Sequence, residues 1–365
     1  MHDHEPSRLF GEMRQALHGA ASEVSFSVVL DAFEHADAIL GSDASRSWIS
    51  YAESLLERWP HEARRVQGSL AKNWIESGPP HWLQLVRSLG VRNTFVRRDA
   101  FERCLTSQAA QQLRSLDLKM CRFQTGTLEA LSVDGNLPKL SALDLGVLID
   151  LSEREVISLA SSTLYGQLDS LRLSFGLEAN PLHVRELMTS TSLHDLKVLR
   201  PGGYNMGTLT AVALAEATHM NQLVELDLMG NDLGEEGAAA LASASHLDKL
   251  TVLMLARNYI GPDGAIEICE APQFSRLELL DLRENFIGAR GARALARSPH
   301  LKNLRVLDLQ KNAIGDDGAR ALAQSPNLAS LSILDLGENG ITAAGERALA
   351  TSPYLADSIR DAWRR

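Results

Sequence analysis

The sequence predicts an α/β solenoid: a right-handed coil of strand–helix units, with a parallel inner sheet and outer helices, preceded by an α-helical N-terminal cap. Three observations predict it. A segment of the form Leu-x-x-Leu-x-Leu-x-x-Asn recurs every 27 residues in the C-terminal half. Within each unit the apolar period changes midway from alternation to a three-and-four spacing, from strand to helix. The first 85 residues differ in composition and hold four of the five tryptophans, Trp48, Trp59, Trp74 and Trp82.

Taken in order, residues 1–85 form the cap. Helical periodicity runs through 24–40 (VSFSVVLDAFEHADAIL) and 47–59 (SWISYAESLLERW), and Asp43 or Ser45 suits the N-cap of the second helix. An array leaves raw apolar ends, so a helical bundle against its first unit is expected. Ten units follow over residues 86–350. They start at Val86, Leu113, Leu140, Leu168 and Leu193, then regularly at Leu223, Leu250, Leu277, Leu304 and Leu331. Each helix is rich in Ala and Leu, and an acidic pair such as Asp316-Asp317 suits its positive N-terminus. Pro299, Pro326 and Pro353 lie just past helices, which proline cannot continue. Residues 351–365 place Leu355, Ile359 and Trp363 on one helical face, a C-terminal cap.

The repeated pattern resembles the leucine-rich repeat over roughly residues 86–350, and its length and helical return resemble the ribonuclease-inhibitor subclass, in a bacterial type. Tyr51-Ala52-Glu53, Leu56-Glu57-Arg58 and Phe95-Val96-Arg97-Arg98 leading into Phe101 resemble the repeat-companion segment that precedes similar repeats in some bacterial proteins. Asn231, Asn258, Asn285, Asn312 and Asn339 recur where the chain leaves each strand, and Cys121 stands at that place in an earlier unit. A buried turn exposes backbone polar groups, and an amide supplies both donors and acceptors for them, so these six residues form a structural ladder. Leu148, Gly176 and Pro201 depart from it, and the unit at Leu193 is lengthened around residues 201–204. That stretch, 200–208, is either drifted sequence or a loop projecting over the sheet edge.

Parallel strands lie ~4.8 Å apart and packed helices roughly 8–10 Å, so the array curves with its strands inside. Positions 3, 5 and 7 of each strand then line the concave face. Position 5 carries Gly90, Asp117, Asp144, Arg172, Lys197, Asp227, Met254, Asp281, Asp308 and Asp335: two acidic stretches around a basic pair, with Arg200 beside it. Position 8 adds Arg257, Glu284, Lys311 and Glu338, Arg283 stands at position 7, and Val252, Leu279, Val306 and Ile333 make an apolar column at position 3. The acidic column is either the ordinary composition of such repeats or a binding face. Neighbouring carboxylates repel and do not serve stability, which favours binding.

No phosphate-loop, nucleophile-elbow or zinc-protease spacing occurs. His2-Asp3-His4 is the closest histidine pair, in a terminal tail, and no metal or cofactor is expected. With 36 Lys and Arg against 46 Asp and Glu, the net charge of −10 argues against nucleic acid and anionic membrane. There is no long apolar run or secretory h-region, and three widely spaced cysteines make no disulfide framework, so a cytoplasmic monomer is expected. The predicted function is a non-catalytic protein–protein interaction module or scaffold, gripping a partner with a basic patch on the concave sheet. The alternative is an enzyme regulator, nuclease-inhibitor-like or GTPase-activating-like; proteins with similar repeats include both. Arg257, Arg283 and Arg122 are its strand-end candidates.

Overall fold

The computed structural model describes residues 5–40, 42–77, 84–108, 110–133, 135–148, 152–175, 180–203 and 207–364. His2–His4, Trp82, Gly176 and Tyr204 lie outside the described residues. The chain divides into two compact units, residues 1–146 with 151–168 and residues 169–365 with 147–150.

The N-terminal unit opens with α1 (Glu5–His18), α2 (Glu23–Leu40) and α3 (Ser42–Leu56), packed on one another over Met13, Phe26, Leu30 and Phe33. Phe10 meets Trp48 edge-on at 5.2 Å, and Trp59 and Trp74 are buried. Helix α3 begins at Ser42, so Asp43 and Ser45 stand within its range rather than before it. There follow β1 (Arg65–Gln67), α4 (Ser69–Ser77), β2 (Ser88–Gly90), β3 (Phe95–Val96), α5 (Arg98–Leu105), β4 (Ser115–Asp117), β5 (Arg122–Phe123), β6 (Ala142–Leu148) and α6 (Glu153–Ala160). Strands β1, β2, β4 and β6 are parallel neighbours, with Val66, Leu89, Leu116 and Leu143 in register. The sheet therefore starts inside the segment 1–85, one strand before the first repeat read from the sequence. Ser152 caps α6 in a box with Glu155, whose other carboxylate oxygen accepts from the Gly126 N–H at 2.9 Å.

In the C-terminal unit the pattern is regular. Its strands are β7 (Ser170–Phe175), β8 (Val198–Gly203), β9 (Glu225–Asp227), β10 (Val252–Met254), β11 (Leu279–Asp281), β12 (Val306–Asp308) and β13 (Ile333–Asp335). They lie side by side in chain order, all parallel, with one leucine of each in register from Leu171 to Leu334. Between and after them run α7 (Pro181–Met188), α8 (Gly207–Glu216), α9 (Gly234–Ser243), α10 (Gly261–Glu270), α11 (Gly288–Arg297), α12 (Gly315–Ala323), α13 (Ala343–Ala350) and α14 (Asp357–Ala362). This is an open solenoid, strand then helix, each unit packed on the next. Gly264 and Gly318 set the helix spacing: a Cβ there would stand 2.9 Å from the Cβ of Ala238 or Ala292 on the preceding helix. At the C-terminal end Leu355 and Ile359 are buried where α14 meets α13.

One repeat is framed differently from the sequence reading. Arg172 pairs with Arg200, and Val198 with Glu225, so the fifth unit starts at Leu196, not Leu193, and its intervals are 28 and 27 residues. Leu193 is buried in the single turn Thr191–Leu193 that precedes the strand. Pro201 thus stands at the sixth position, where its carbonyl accepts from Asn231 Nδ2 at 3.0 Å; residues 201–203 belong to β8, and residues 204–206 lie outside the described residues.

Candidate functional site

The asparagines build the ladder from one repeat to the next. Asn285 Nδ2 donates to the carbonyls of Leu255, Leu282 and Arg283 at 2.7, 2.9 and 3.1 Å. Its Oδ1 accepts from the N–H groups of Asn258 and Ile260 in the preceding repeat, at 3.0 and 3.3 Å. Asn258, Asn312 and Asn339 repeat the arrangement. Cys121 does part of the same work, since its thiol donates to Val91 O at 3.1 Å. Burial pushes that thiol up to about 11, and Cys104 up to about 12; Cys269 shifts the same way. All three are unpaired and buried, so none is a ready nucleophile.

Each ladder residue from Asn258 to Asn312 lies between two residues in the left-handed region. Arg257, Glu284 and Lys311 before them, and Tyr259, Phe286 and Ala313 after them, have φ of 54–58°. The strand-end charges form a run: Glu284 Oε1 meets Arg257 at 3.2 Å and Lys311 at 3.7 Å, and Lys311 meets Glu338 at 3.8 Å.

On the inner sheet face of the C-terminal unit, Val252, Leu279 and Val306 are half-buried and Ile333 is exposed, beside the fifth-position column. The carboxylates in that column have a local task the sequence reading denied them. Oδ1 of Asp227, Asp281, Asp308 and Asp335 each accepts the N–H two residues on, at 3.0–3.1 Å, and so closes the turn out of the strand. Three of the other oxygens are engaged as well, Asp281 and Asp308 Oδ2 by Arg283 and Asp335 Oδ2 by Gln310. Over β9 to β13 the face carries Glu225, Asp227, Asp281, Asp308 and Asp335 against one cation, Arg283. Arg283 grips both Asp281 oxygens, at 2.7–3.1 Å, and approaches Asp308 at 3.2 Å. Even so, burial and the carboxylates of Asp281 and Asp335 hold the Asp308 carboxyl above its ordinary value. Gln310 donates to Asp335 at 2.5 Å.

The basic centre is Arg172 with Arg200, cross-strand neighbours, and Arg200 also binds Glu225 at 2.6 Å. Lys197 stands instead at the second position, exposed and bonded to Asp169 at 2.6 Å, so it does not join that face. In the N-terminal unit Asp117 is taken by Arg65 and Arg92, at 2.9 and 2.6 Å, and Asp144 meets Lys119 at 3.4 Å. Gly90 leaves the space in which Arg65 reaches across a strand; a Cβ there would lie 3.4 Å from its guanidinium. That acidic stretch is neutralised. Of the strand-end arginines, Arg283 is held between two carboxylates and Arg257 by Glu284, while Arg122 is exposed on β5 of the other unit.

Sequence reasoning missed one feature. Tyr259 and Phe286, each 61% exposed, stack with ring centroids 6.0 Å apart and planes 10° from parallel. They follow successive ladder asparagines, beside Arg257 and Glu284. The signal was available: two of the chain's few aromatics stand one repeat apart, at a place that elsewhere holds Asp232, Ala313 and Gly340.

Among the described residues no group of side chains has metal-ligand geometry, and no helix is long and apolar enough to cross a membrane. Four segments, residues 219–242, 246–269, 300–323 and 327–350, match the family described as Leucine Rich repeat, and those segments are leucine-rich repeats. No curated protein matches the chain. Among solved structures, an internalin from Listeria monocytogenes is similar over 86% of this chain and 93% of its own, at 16% identity and a TM-score of 0.47. The Rad7 and Elc1 complex from yeast is similar over 93% of this chain and 92% of that one, at 14% identity and a TM-score of 0.35. Leucine-rich repeats generally serve as protein–protein interaction modules, and their fold is typically a non-enzymatic scaffold.

Proposed function

We propose that this protein is a non-catalytic interaction module that binds another protein, one with a basic patch, on the inner sheet face of its C-terminal unit. The observation that carries the reading is the crowded carboxylate row Asp281–Asp308–Asp335 with Arg283 as its one cation; burial first, and then the neighbouring carboxylates, hold the Asp308 carboxyl above its ordinary value. Folding needs one oxygen of each for a turn; the excess charge costs stability and is relieved by a cationic partner. The half-buried column Val252, Leu279 and Val306 beside it supplies apolar contact. We infer the ribonuclease-inhibitor-like subclass from the 27-residue repeat with a helix in every turn of the C-terminal unit. The three unpaired cysteines suit a cytoplasmic protein.

The test replaces Asp308 and Asp335 by asparagine, which keeps the Oδ1 acceptor for the turn, removes the charge and gives up the Oδ2 contacts with Arg283 and Gln310. Wild type and variant are compared in capture from a lysate of the source organism, with thermal melting as the folding control. Loss of basic partners in the variant, with an unchanged melt, supports the reading. Capture of the same partners by both proteins overturns it.

A further inference from the structure

Arg64, Arg87 and Arg114 hold the same place on three neighbouring strands of the N-terminal unit, one residue before β1, β2 and β4. Their backbones are bonded directly, Arg87 N–H to Arg64 O at 3.0 Å and Arg114 N–H to Arg87 O at 2.8 Å, so their side chains leave the sheet edge in one row, ~4.8 Å apart. Like charges at that spacing repel. The same place in the C-terminal unit is arranged otherwise: Lys197 beside Asp169 at 2.6 Å, Arg305 beside Glu278 at 3.7 Å, Thr251 beside Val224.

Arg64 is buried and Arg87 and Arg114 are half-buried, and among the described residues the row is short of acceptors. Arg64 is 2% exposed. It donates through Nε to Leu85 O at 2.8 Å and through one terminal nitrogen to Leu56 O at 3.4 Å. Its other terminal nitrogen and the Nε of Arg114 are buried without a hydrogen-bond partner among the described residues. Arg87 donates to Gln84 O at 2.5 Å and Val86 O at 3.1 Å, and its nearest carboxylate, Glu53, stands at 3.7 Å. Glu57 lies farther out, and exposed His61, with Glu62 beside it, faces the same group. Two buried guanidinium donors left open are costly. An oxyanion answers both, because guanidinium forks match its oxygens.

We propose that Arg64, Arg87 and Arg114 form an anion site that takes a phosphate group, free or carried by a small phosphorylated ligand. Burial and the two other arginines already push Arg64 down to about 9, and burial with all three arginines lowers His61. Bound phosphate reverses both.

The full chain is titrated with inorganic phosphate, and separately with ADP, at constant ionic strength against chloride, by calorimetry and thermal shift. His61 is followed by NMR. Three proteins are used: wild type, Arg114→Gln, and Arg305→Gln as a control at the equivalent place in the other unit. The site requires saturable binding of phosphate or ADP, weakened tenfold or more in Arg114→Gln and unchanged in Arg305→Gln, with the His61 titration moving to higher pH. Phosphate binding points to a free anion, and ADP binding alone to a phosphorylated ligand. A melting shift equal in chloride, or undiminished binding by a folded Arg114→Gln, overturns the proposal.

Discussion

Replacing Asn285 by alanine removes one rung of the ladder, and the hydrogen bonds fix what is lost. The three carbonyls that its Nδ2 serves keep other donors: Leu255 O retains Asn258 Nδ2, Leu282 O retains Asn312 Nδ2, and Arg283 O retains the Arg257 N–H. The N–H groups of Asn258 and Ile260 have only Asn285 Oδ1 as acceptor, and both residues are fully buried. Two orphaned buried donors cost about 1–3 kcal/mol each, so the expected loss is about 2–6 kcal/mol, less where water enters the space. A repeat array need not unfold as one step, so urea denaturation is read together with hydrogen exchange at residues 258 and 260. Faster exchange there and a lower urea midpoint are expected. A variant with the wild-type midpoint and protected amides at both positions would refute the accounting.

Three further outcomes are expected. Gly264→Val places a Cβ 2.7 Å from Ile260 Cγ2 and 2.9 Å from Ala238 Cβ; overpacking should cost about 1–3 kcal/mol in urea denaturation, and an unshifted midpoint would show that the helices are not spaced by that glycine. His219 and His246 have buried, unpartnered Nε2 atoms, and burial lowers both below their ordinary value of 6.5. The unfolded chain then binds more protons than the folded one, so stability is present above pH 6.5 and is lost as pH falls through the lowered folded values. The melting temperature should drop from pH 7.5 to 5, and less so in His219→Gln/His246→Gln, because Gln273 already fills the equivalent place with a bond to Ala242 O at 2.6 Å; an equal drop in both proteins contradicts this. Tyr259→Ala and Phe286→Ala should each cost about 1 kcal/mol or less in stability, yet weaken any partner on this rim tenfold or more in calorimetry; unaltered affinity would leave the stacked pair without a role in binding.

The regular repeats were legible because Leu226, Leu253, Leu280 and Leu307 pack in one layer, and only an unbroken 27-residue spacing keeps that layer filled. Where two frames offered apolar residues, pattern alone chose wrongly: Leu193, Leu196 and Val198 fit the template better than Leu196, Leu199 and Pro201, but pairing on both sides of β8 admits only the second. Strand β1 escaped notice because Ala63, Val66 and Gly68 hold one large aliphatic among them. The ladder amides were readable from chemistry, since a turn with buried N–H groups demands such a residue. The double duty of the aspartates was not, because it depends on which oxygen meets the N–H two residues on. Lys197 left the inner face for the same reason that the frame moved, and the aromatic pair was missed because only strand positions were taken as surface.

The left-handed residues on either side of each ladder asparagine separate two kinds of change. Substitution at Asn258 or Asn285 touches five hydrogen bonds at once, whereas Arg257, Tyr259, Glu284 and Phe286 project outward from backbone that the asparagine holds in place. Long, unbranched or aromatic side chains are admitted there, and β-branched ones are resisted by the positive φ. Binding preference can therefore drift along this rim, residue by residue, with little cost to folding. Accumulated mutations should rewrite what such a surface recognises long before they unmake the coil beneath it.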